Sequence, residues 1–94
     1  MSIGLLTLHL HIPGCTSLKE KRRRIKPIMA RLHRQFNISV AEIDYHDVWQ
    51  STLIGCTIIS NDPDHTRRSL QQVAHWVESS WPDLDILDER VEIL

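Results

Sequence analysis

The chain has 94 residues, of which 41% are hydrophobic and 24% charged, and its formal net charge is -1. This length fits one domain covering residues 1–94, and the ordinary composition excludes a disordered or fibrous protein. The two cysteines, Cys15 and Cys56, lack the short spacing of a metal site, which favours reduced thiols over a zinc site or a disulfide framework; a disulfide is the alternative.

The longest apolar run, residues 3–12, is too short to span a bilayer and is interrupted by Thr7, His9 and His11. It also lacks a basic leader and a cleavage site. We therefore expect no membrane partner and a cytoplasmic location.

The first predicted element is a strand with the strict period-two alternation of a half-buried sheet. One face is apolar throughout and holds Leu6, Leu8, Leu10 and Ile12. The other face is mixed and holds Leu5, Thr7, His9 and His11. This pattern is typical of a sheet that helices cover on one face. Pro13-Gly14 then ends the strand.

Ser17, with Glu20 three residues later, matches a capping box and predicts a helix over residues 17–36. At 100° per residue an apolar stripe forms from Leu18, Ile25, Ile28, Met29, Leu32 and Phe36. Lys19, Arg23, Lys26 and Arg34 lie opposite, and Arg22 and Arg31 flank them. Pro27 falls on the solvent side, which favours a kink over a break. Asn37 is predicted to end the helix in the left-handed conformation.

Charge is strongly segregated along the chain. Residues 17–36 hold eight of the eleven Lys and Arg against one acid, whereas residues 37–94 hold eleven acids against three arginines. The protein should therefore be an electric dipole with its positive end on the first helix.

The later elements are predicted from apolar periodicity and from turn residues. Strands are expected at residues 38–45, 53–60 and 84–94, the last at an edge of the sheet, and a second helix begins with Asp62 as cap and Pro63 at its first position. The apolar positions of the second strand settle on neither face, so its register stays open.

The order strand, helix, strand, strand, helix, strand is the split βαβ pattern of a ferredoxin-like α+β sandwich. It predicts a four-stranded antiparallel sheet in the order 4-1-3-2. Both helices should cover one face of this sheet and leave the other open.

Several stretches, in this order, resemble the YlxP-like family of small bacterial proteins, long catalogued as a domain of unknown function. They are residues 8–14 (LHLHIPG), 17–23 (SLKEKRR) and 36–42 (FNISVAE), followed by Asp47, Trp49-Gln50, Gly55 and Ser60-Asn61-Asp62. The resemblance covers nearly the whole chain and implies a ferredoxin-like fold. The usual placement of the family's genes beside those of a translation initiation factor and a ribosome-binding factor implies a link to translation or ribosome maturation. It implies no catalytic residues, and Pro27 departs from the helix former usual in such proteins.

The basic helix is the first candidate site. Lys19, Arg22, Arg23, Lys26, Arg31 and Arg34 could contact the phosphates of ribosomal RNA without reading sequence, and a solvated helix face is the alternative. The sequence pI of about 6.6 argues against RNA binding, and the scarcity of Phe and Tyr argues against base stacking on the sheet. Any RNA contact is therefore expected to be made by the helix, which would contact the backbone and shape of the RNA.

His9 and His11 form the second candidate, because residues two apart on a strand share a face. Glu42, Asp44 and His46 would join them in a metal or polar-ligand site if the second strand exposes its even positions. Solvent-facing or interface histidines on an open sheet are the stronger interpretation, so we expect no metal and no cofactor.

A third interpretation, acyl-phosphate hydrolysis, is the weakest, although this fold supports it elsewhere. The loop after the first strand has no arginine before Arg22, and Asn61 falls at the end of the third strand. Cys15 has no fixed general base beside it, so an ordinary loop thiol is the better interpretation.

Leu5 and Trp49 are candidate interface residues of a homodimer formed through the open sheet face. We therefore predict a non-enzymatic protein that docks on ribosomal RNA or a ribosome-associated protein through the helix at residues 17–36. The alternative is a homodimeric module that binds a small ligand or metal on its open sheet face.

Overall fold

A computed structural model describes residues 1–94, with six elements in the predicted order. They are β1 (Ser2–His11), α1 (Leu18–Gln35), β2 (Ser39–Asp44), β3 (Ser51–Ser60), α2 (Pro63–Ser80) and β4 (Asp85–Ile93). The four antiparallel strands lie in the order β2-β3-β1-β4, which is the predicted order read from the opposite edge. The predicted α+β sandwich is thus confirmed. Neither helix combines the length and the apolar character that crossing a membrane requires.

The core lies between one face of the sheet and the two helices. β1 runs through its middle with even-numbered residues buried, as the alternation predicts, and the helices complete the core with their apolar stripes. The innermost side chains are Leu6, Leu8, Leu10, Ile25, Ile28, Leu32, Ile54, Leu70, Val73 and Val77. α1 lies over β2, whereas α2 lies over β1, β3 and β4.

Both helices begin at the predicted caps. The Ser17 hydroxyl accepts a hydrogen bond from the Glu20 amide at 3.1 Å, and Asp62 caps α2 with Pro63 in its first turn. The Glu20 carboxylate departs from a capping box, because it accepts from the amide and hydroxyl of Thr16, each at 3.0 Å. The hydrogen bond from the Thr16 amide, with that from its hydroxyl, holds the pKa of Glu20 below its ordinary value.

The end of α1 differs from the prediction at Asn37. The cap is Phe36, which is extended at φ -130°, and Asn37 is not left-handed. Phe36 packs edge-on against Trp76 of α2 and directs the chain into β2, which begins three residues later. α1 itself continues through the exposed Pro27 without a break.

β2, whose register the sequence left open, has a bulge at Ile43. Val40 and Glu42 pair with Cys56 and Ile54, but the register then shifts so that Asp44 pairs with Leu53. The Ile43 side chain lies over Gly55, where two of its carbons lie 3.2 Å from the position of a Cβ. Val40 lies on the helix-covered face, whereas Ala41 and Ile43 lie on the open face, as ordinary alternation places them. Apolar side chains on both faces obscure the period of β2.

Gly4 marks the closest approach between β1 and α2. A Cβ at this position would lie 2.4 Å from the Thr66 Cγ2 and 2.8 Å from the Leu70 Cδ1. Only glycine permits this separation without movement of the helix.

Candidate functional site

The exposed side of α1 carries five cationic side chains, which we call the basic face: Lys19, Arg22, Arg23, Lys26 and Arg34. All five are exposed, and the ion pairs of the protein involve other cations. They recur at helical spacing, so that the row runs for about 22 Å along the helix at 1.5 Å per residue. The basic face is therefore a row of positive charge, interrupted between Lys26 and Arg34, and none of its five cations forms an ion pair.

Arg31, which the sequence grouped with these residues, has partners within the protein. Its guanidinium carbon lies 5.2 Å from the centre of the Trp81 ring and 5.9 Å from that of Trp76. Trp76 and Trp81 contact each other edge-on at 5.2 Å. Arg31 thus stacks α1 against α2 through cation–π contacts and stands apart from the basic face.

Arg24 also joins α1 to another part of the chain. Its guanidinium donates to the Pro13 carbonyl at 2.7 Å and pairs with Asp83 at 3.3 Å. These two contacts link α1 to the loop that precedes the helix and to the residues just before β4.

Lys21 is the one cation of α1 that is buried, with only 1% of its side chain exposed. Its Nζ lies 2.9 Å from the Glu42 carboxylate and donates to the Tyr45 carbonyl. Thr52 donates to the same carboxylate at 2.6 Å. Burial raises the pKa of Glu42, but the hydrogen bonds from Thr52 and Lys21 outweigh it and leave that pKa below its ordinary value.

This pair corrects the expectation that Glu42 would join the histidines. Glu42 pairs with Ile54, whose side chain is in the core, and so lies on the helix-covered side, whereas His9 and His11 lie on the other side of the sheet. His46 is instead hydrogen-bonded through Nε2 to the Glu42 carbonyl at 3.1 Å. No group of three or more His, Cys, Asp and Glu side chains is arranged to hold a metal ion.

The two histidines of β1 have neighbours in the loop and strand that follow β2. His9 Nε2 is hydrogen-bonded to the Ser51 hydroxyl at 2.6 Å, and its ring stacks on that of Tyr45 with 5.0 Å between centres. His11 Nδ1 donates to the Gln50 carbonyl at 3.0 Å. Tyr45 itself is left-handed, at φ 63°. These contacts connect the end of β1 to residues 45–51.

The open sheet face is formed by the odd-numbered residues of β1 and β3 with their neighbours. It is largely apolar toward β2 and charged toward β4, where Asp88, Arg90 and Glu92 pair with His9, Thr7 and Leu5. Leu5 is half-buried there, and a shallow depression of about 200 Å³ lies beside it, lined in part by Ala41, Ile43 and Gly55. Ile59 is 68% exposed on the same face. Trp49, the other predicted interface residue, lies in the loop between β2 and β3 and is 50% exposed.

A groove of about 570 Å³ lies where the end of α1 meets α2. We call it the helix groove; it is lined by Phe36, Arg68, Gln71, Gln72, His75, Trp76 and Ser79. Sequence reasoning did not predict it, because Phe36 was assigned to the apolar stripe of the first helix. The available signal was the polar series Arg68, Gln71, Gln72 and His75, which forms the exposed side of α2 opposite its apolar stripe.

Comparison with known proteins places the chain among relatives that share its length. A family model described as "Protein of unknown function (DUF503)" matches residues 3–91. The chain is also similar to the "Uncharacterized protein YlxP" of Bacillus subtilis (strain 168), with 36% identity over 90 residues, which is 96% of this chain and 97% of that protein.

Proposed function

The chain belongs to the YlxP-like family described as DUF503, and we propose that it is an RNA-binding protein that docks on ribosomal RNA through the basic face of α1. The observation that carries this proposal is the row of five exposed cations without internal counterions. Such a role would place the protein in the cytoplasm, with the ribosome.

The chemistry of the basic face fits phosphate groups. Lys and Arg that neutralise phosphates release condensed counterions, and this release drives binding without base readout. Five such contacts would give a slope on the order of -4 for the logarithm of the binding constant against that of salt concentration. Since no internal ion pair has to break, the five cations are available for this contact.

The distribution of charge supports docking by this helix and in one orientation. β4 carries Asp85, Asp88, Glu89 and Glu92 at one edge of the sheet, while α1 lies over β2 at the opposite edge. An anionic surface repels the acidic β4 edge and attracts the edge over which α1 lies.

The lack of aromatic side chains on the central strands of the open sheet face also favours α1 as the RNA-binding surface. The strands β1 and β3 carry neither Phe, Tyr nor Trp, whereas RNA-binding sheets of this topology stack bases on aromatic side chains. Contact with RNA through the helix is therefore the better fit.

The proposal is tested by binding of the protein to purified ribosomal subunits and to a ribosomal RNA fragment over a series of salt concentrations. Lys19→Glu with Arg23→Glu should weaken binding at least tenfold. It should also reduce the logarithmic slope of the binding constant against salt concentration by the amount expected for about two lost phosphate contacts. The matched control is Arg67→Glu with Arg90→Glu, which changes the net charge equally at exposed positions outside α1. Equal loss in both variants would point to net charge alone, and unchanged binding in the first variant would remove the proposal.

Self-association is a second proposed activity, favoured by the exposed apolar residues of the open sheet face. Strands about 4.8 Å apart and about 33 Å long form a face on the order of 600 Å². Specific interfaces bury about 800 Å² per partner, so a pair formed through this face would be at the weak end of the range. A homodimer in equilibrium with the monomer is therefore proposed, and no metal site is retained on this face.

A further inference from the structure

We propose that the helix groove binds an unstacked base of single-stranded RNA, next to the phosphates that the basic face holds. This inference rests on the proposed function, because the basic face would bring the RNA strand to the groove. It adds a second site, the chemical class of its ligand and a preference for single-stranded over duplex RNA.

The size and lining of the helix groove suit a flat aromatic ligand. Its volume of about 570 Å³ is within the range of small-molecule sites. Phe36 and Trp76 provide aromatic surface, and both are partly buried and held edge-on to each other with 5.6 Å between ring centres. Side chains held in this way offer a rigid surface for stacking, which binds any base because every base has a π-face.

The polar residues of the groove match the edges of bases. Gln71 and Gln72 carry both donors and acceptors, and Arg68 adds a cationic donor. His75 and Ser79 complete the polar lining, which contains no carboxylate. The groove thus combines aromatic surface, hydrogen-bonding groups and positive charge, which is the combination that proteins use for splayed-out bases of RNA.

The position of the groove links it to the basic face. Phe36, one wall of the groove, follows Arg34 by two residues at the end of α1. Arg31 stacks on Trp76, another wall, from the α1 side. Residues two apart lie on opposite sides of a helix, so Arg34 and Phe36 do not share a face. A strand that follows the basic face would reach the groove by passing around the end of α1 beside Arg31.

Duplex RNA does not fit this arrangement, because its bases are stacked and paired within the helix. Only a base that has left its stack, in a loop, a bulge or a single strand, can enter the groove. The geometry consequently predicts that single-stranded RNA binds more tightly than a duplex of equal length.

The experiment compares a fluorescent single-stranded RNA with its duplex, using two arginines that are adjacent in α2. Arg68→Gln removes a cation from the groove, whereas Arg67→Gln makes the same change at an exposed residue that does not line it. Arg68→Gln should weaken single-strand binding several-fold and leave duplex binding nearly unchanged. Arg67→Gln should leave the ratio of the two affinities unchanged.

Stacking is tested with Trp76→Ala, which should weaken single-strand binding roughly tenfold. In a Trp49→Phe background, the remaining Trp76 and Trp81 should lose fluorescence when single-stranded RNA binds. Should Trp76→Ala fail to fold, Arg68→Gln and the fluorescence measurement still decide the question.

The two proposals fail in distinguishable ways. Equal affinity for single strand and duplex, with Arg68→Gln matching Arg67→Gln, would overturn the base-binding groove while leaving the basic face in place. Absence of salt-dependent binding to either RNA would overturn both.

Discussion

Lys21 shows how one residue of a charged run can have a role different from its neighbours. It lies between Glu20 and Arg22, yet it is buried and paired with Glu42. The sequence contained a signal for this, since Ile25 and Ile28 of the apolar stripe follow Lys21 at the spacings of one helical face. Its partner could not be predicted, because the side to which Glu42 points depends on the pairing of β2 with β3.

At this scale we predict that Lys21→Met destabilises the protein by about 3 kcal/mol, because Glu42 would keep a charge without its partner. Adding Glu42→Leu should restore most of the loss. The measurement is urea unfolding of the two single variants and the double variant at pH 7. If the loss of unfolding free energy in the double variant equalled the sum of the losses in the two single variants, this account would be wrong.

The destabilisation caused by Lys21→Met should depend on pH, because it acts through the charge of Glu42. Because the pKa of folded Glu42 lies below its ordinary value of 4.5, the stability it contributes is present above that value and is lost as pH falls through the folded pKa. The cost of Lys21→Met should therefore shrink in acid, once the carboxylate is protonated.

Among the elements, those with a clean period were predicted and the irregular one was not. β1 alternates without exception, and α2 begins at Asp62-Pro63 as its sequence indicates. The register of β2 was not predicted, because its apolar side chains lie on both faces and its pairing with β3 shifts at Ile43. The close approach of α2 at Gly4 was also missed, because a glycine in a strand does not reveal which helix crosses it.

The element with a testable irregularity is α1, which contains Pro27 at an exposed interior position. Proline there lacks the amide that would bond to the Arg23 carbonyl and costs about 3 kcal/mol, partly offset by restriction of the unfolded chain. Pro27→Ala should therefore raise the free energy of unfolding by roughly 2 kcal/mol. Urea unfolding is the measurement, and Ala30→Pro, also at an exposed position of α1, should lower it by a similar or larger amount. No gain from Pro27→Ala would show that the helix has adapted to proline.

For the whole molecule, strand order and charge segregation followed from the sequence, but the surfaces that the fold assembles did not. The order of elements was sufficient to predict the sheet, and the position of the cations on α1 was sufficient to predict the basic face apart from Arg31. The helix groove joins residues 36 and 68–79, so its existence depends on how α1 packs against α2. That packing involves Arg31 and three aromatic rings, whose arrangement no periodicity specifies.

Self-association through the open sheet face predicts a concentration-dependent mass in sedimentation. Ile59→Lys should shift the equilibrium toward the monomer, because it places a charge in the apolar face. Leu87→Lys, at an exposed residue of β4 beside Glu78 of α2, is the control and should leave the equilibrium unchanged. A monomer at all concentrations, or equal effects of both variants, would contradict the dimer.

The two edges of the sheet also limit what kind of assembly the protein can form. Unpaired edge strands can add strands from other copies and grow into fibrils, particularly when molecules are concentrated on a shared surface. Here one edge strand is β2, which is short and has a bulge at Ile43, and the other is β4, which carries four carboxylates. The edges of the sheet therefore disfavour open-ended polymerisation. If the proposed RNA docking gathers molecules along one strand, the proposed pairing through their open sheet faces would be favoured over growth from the edges.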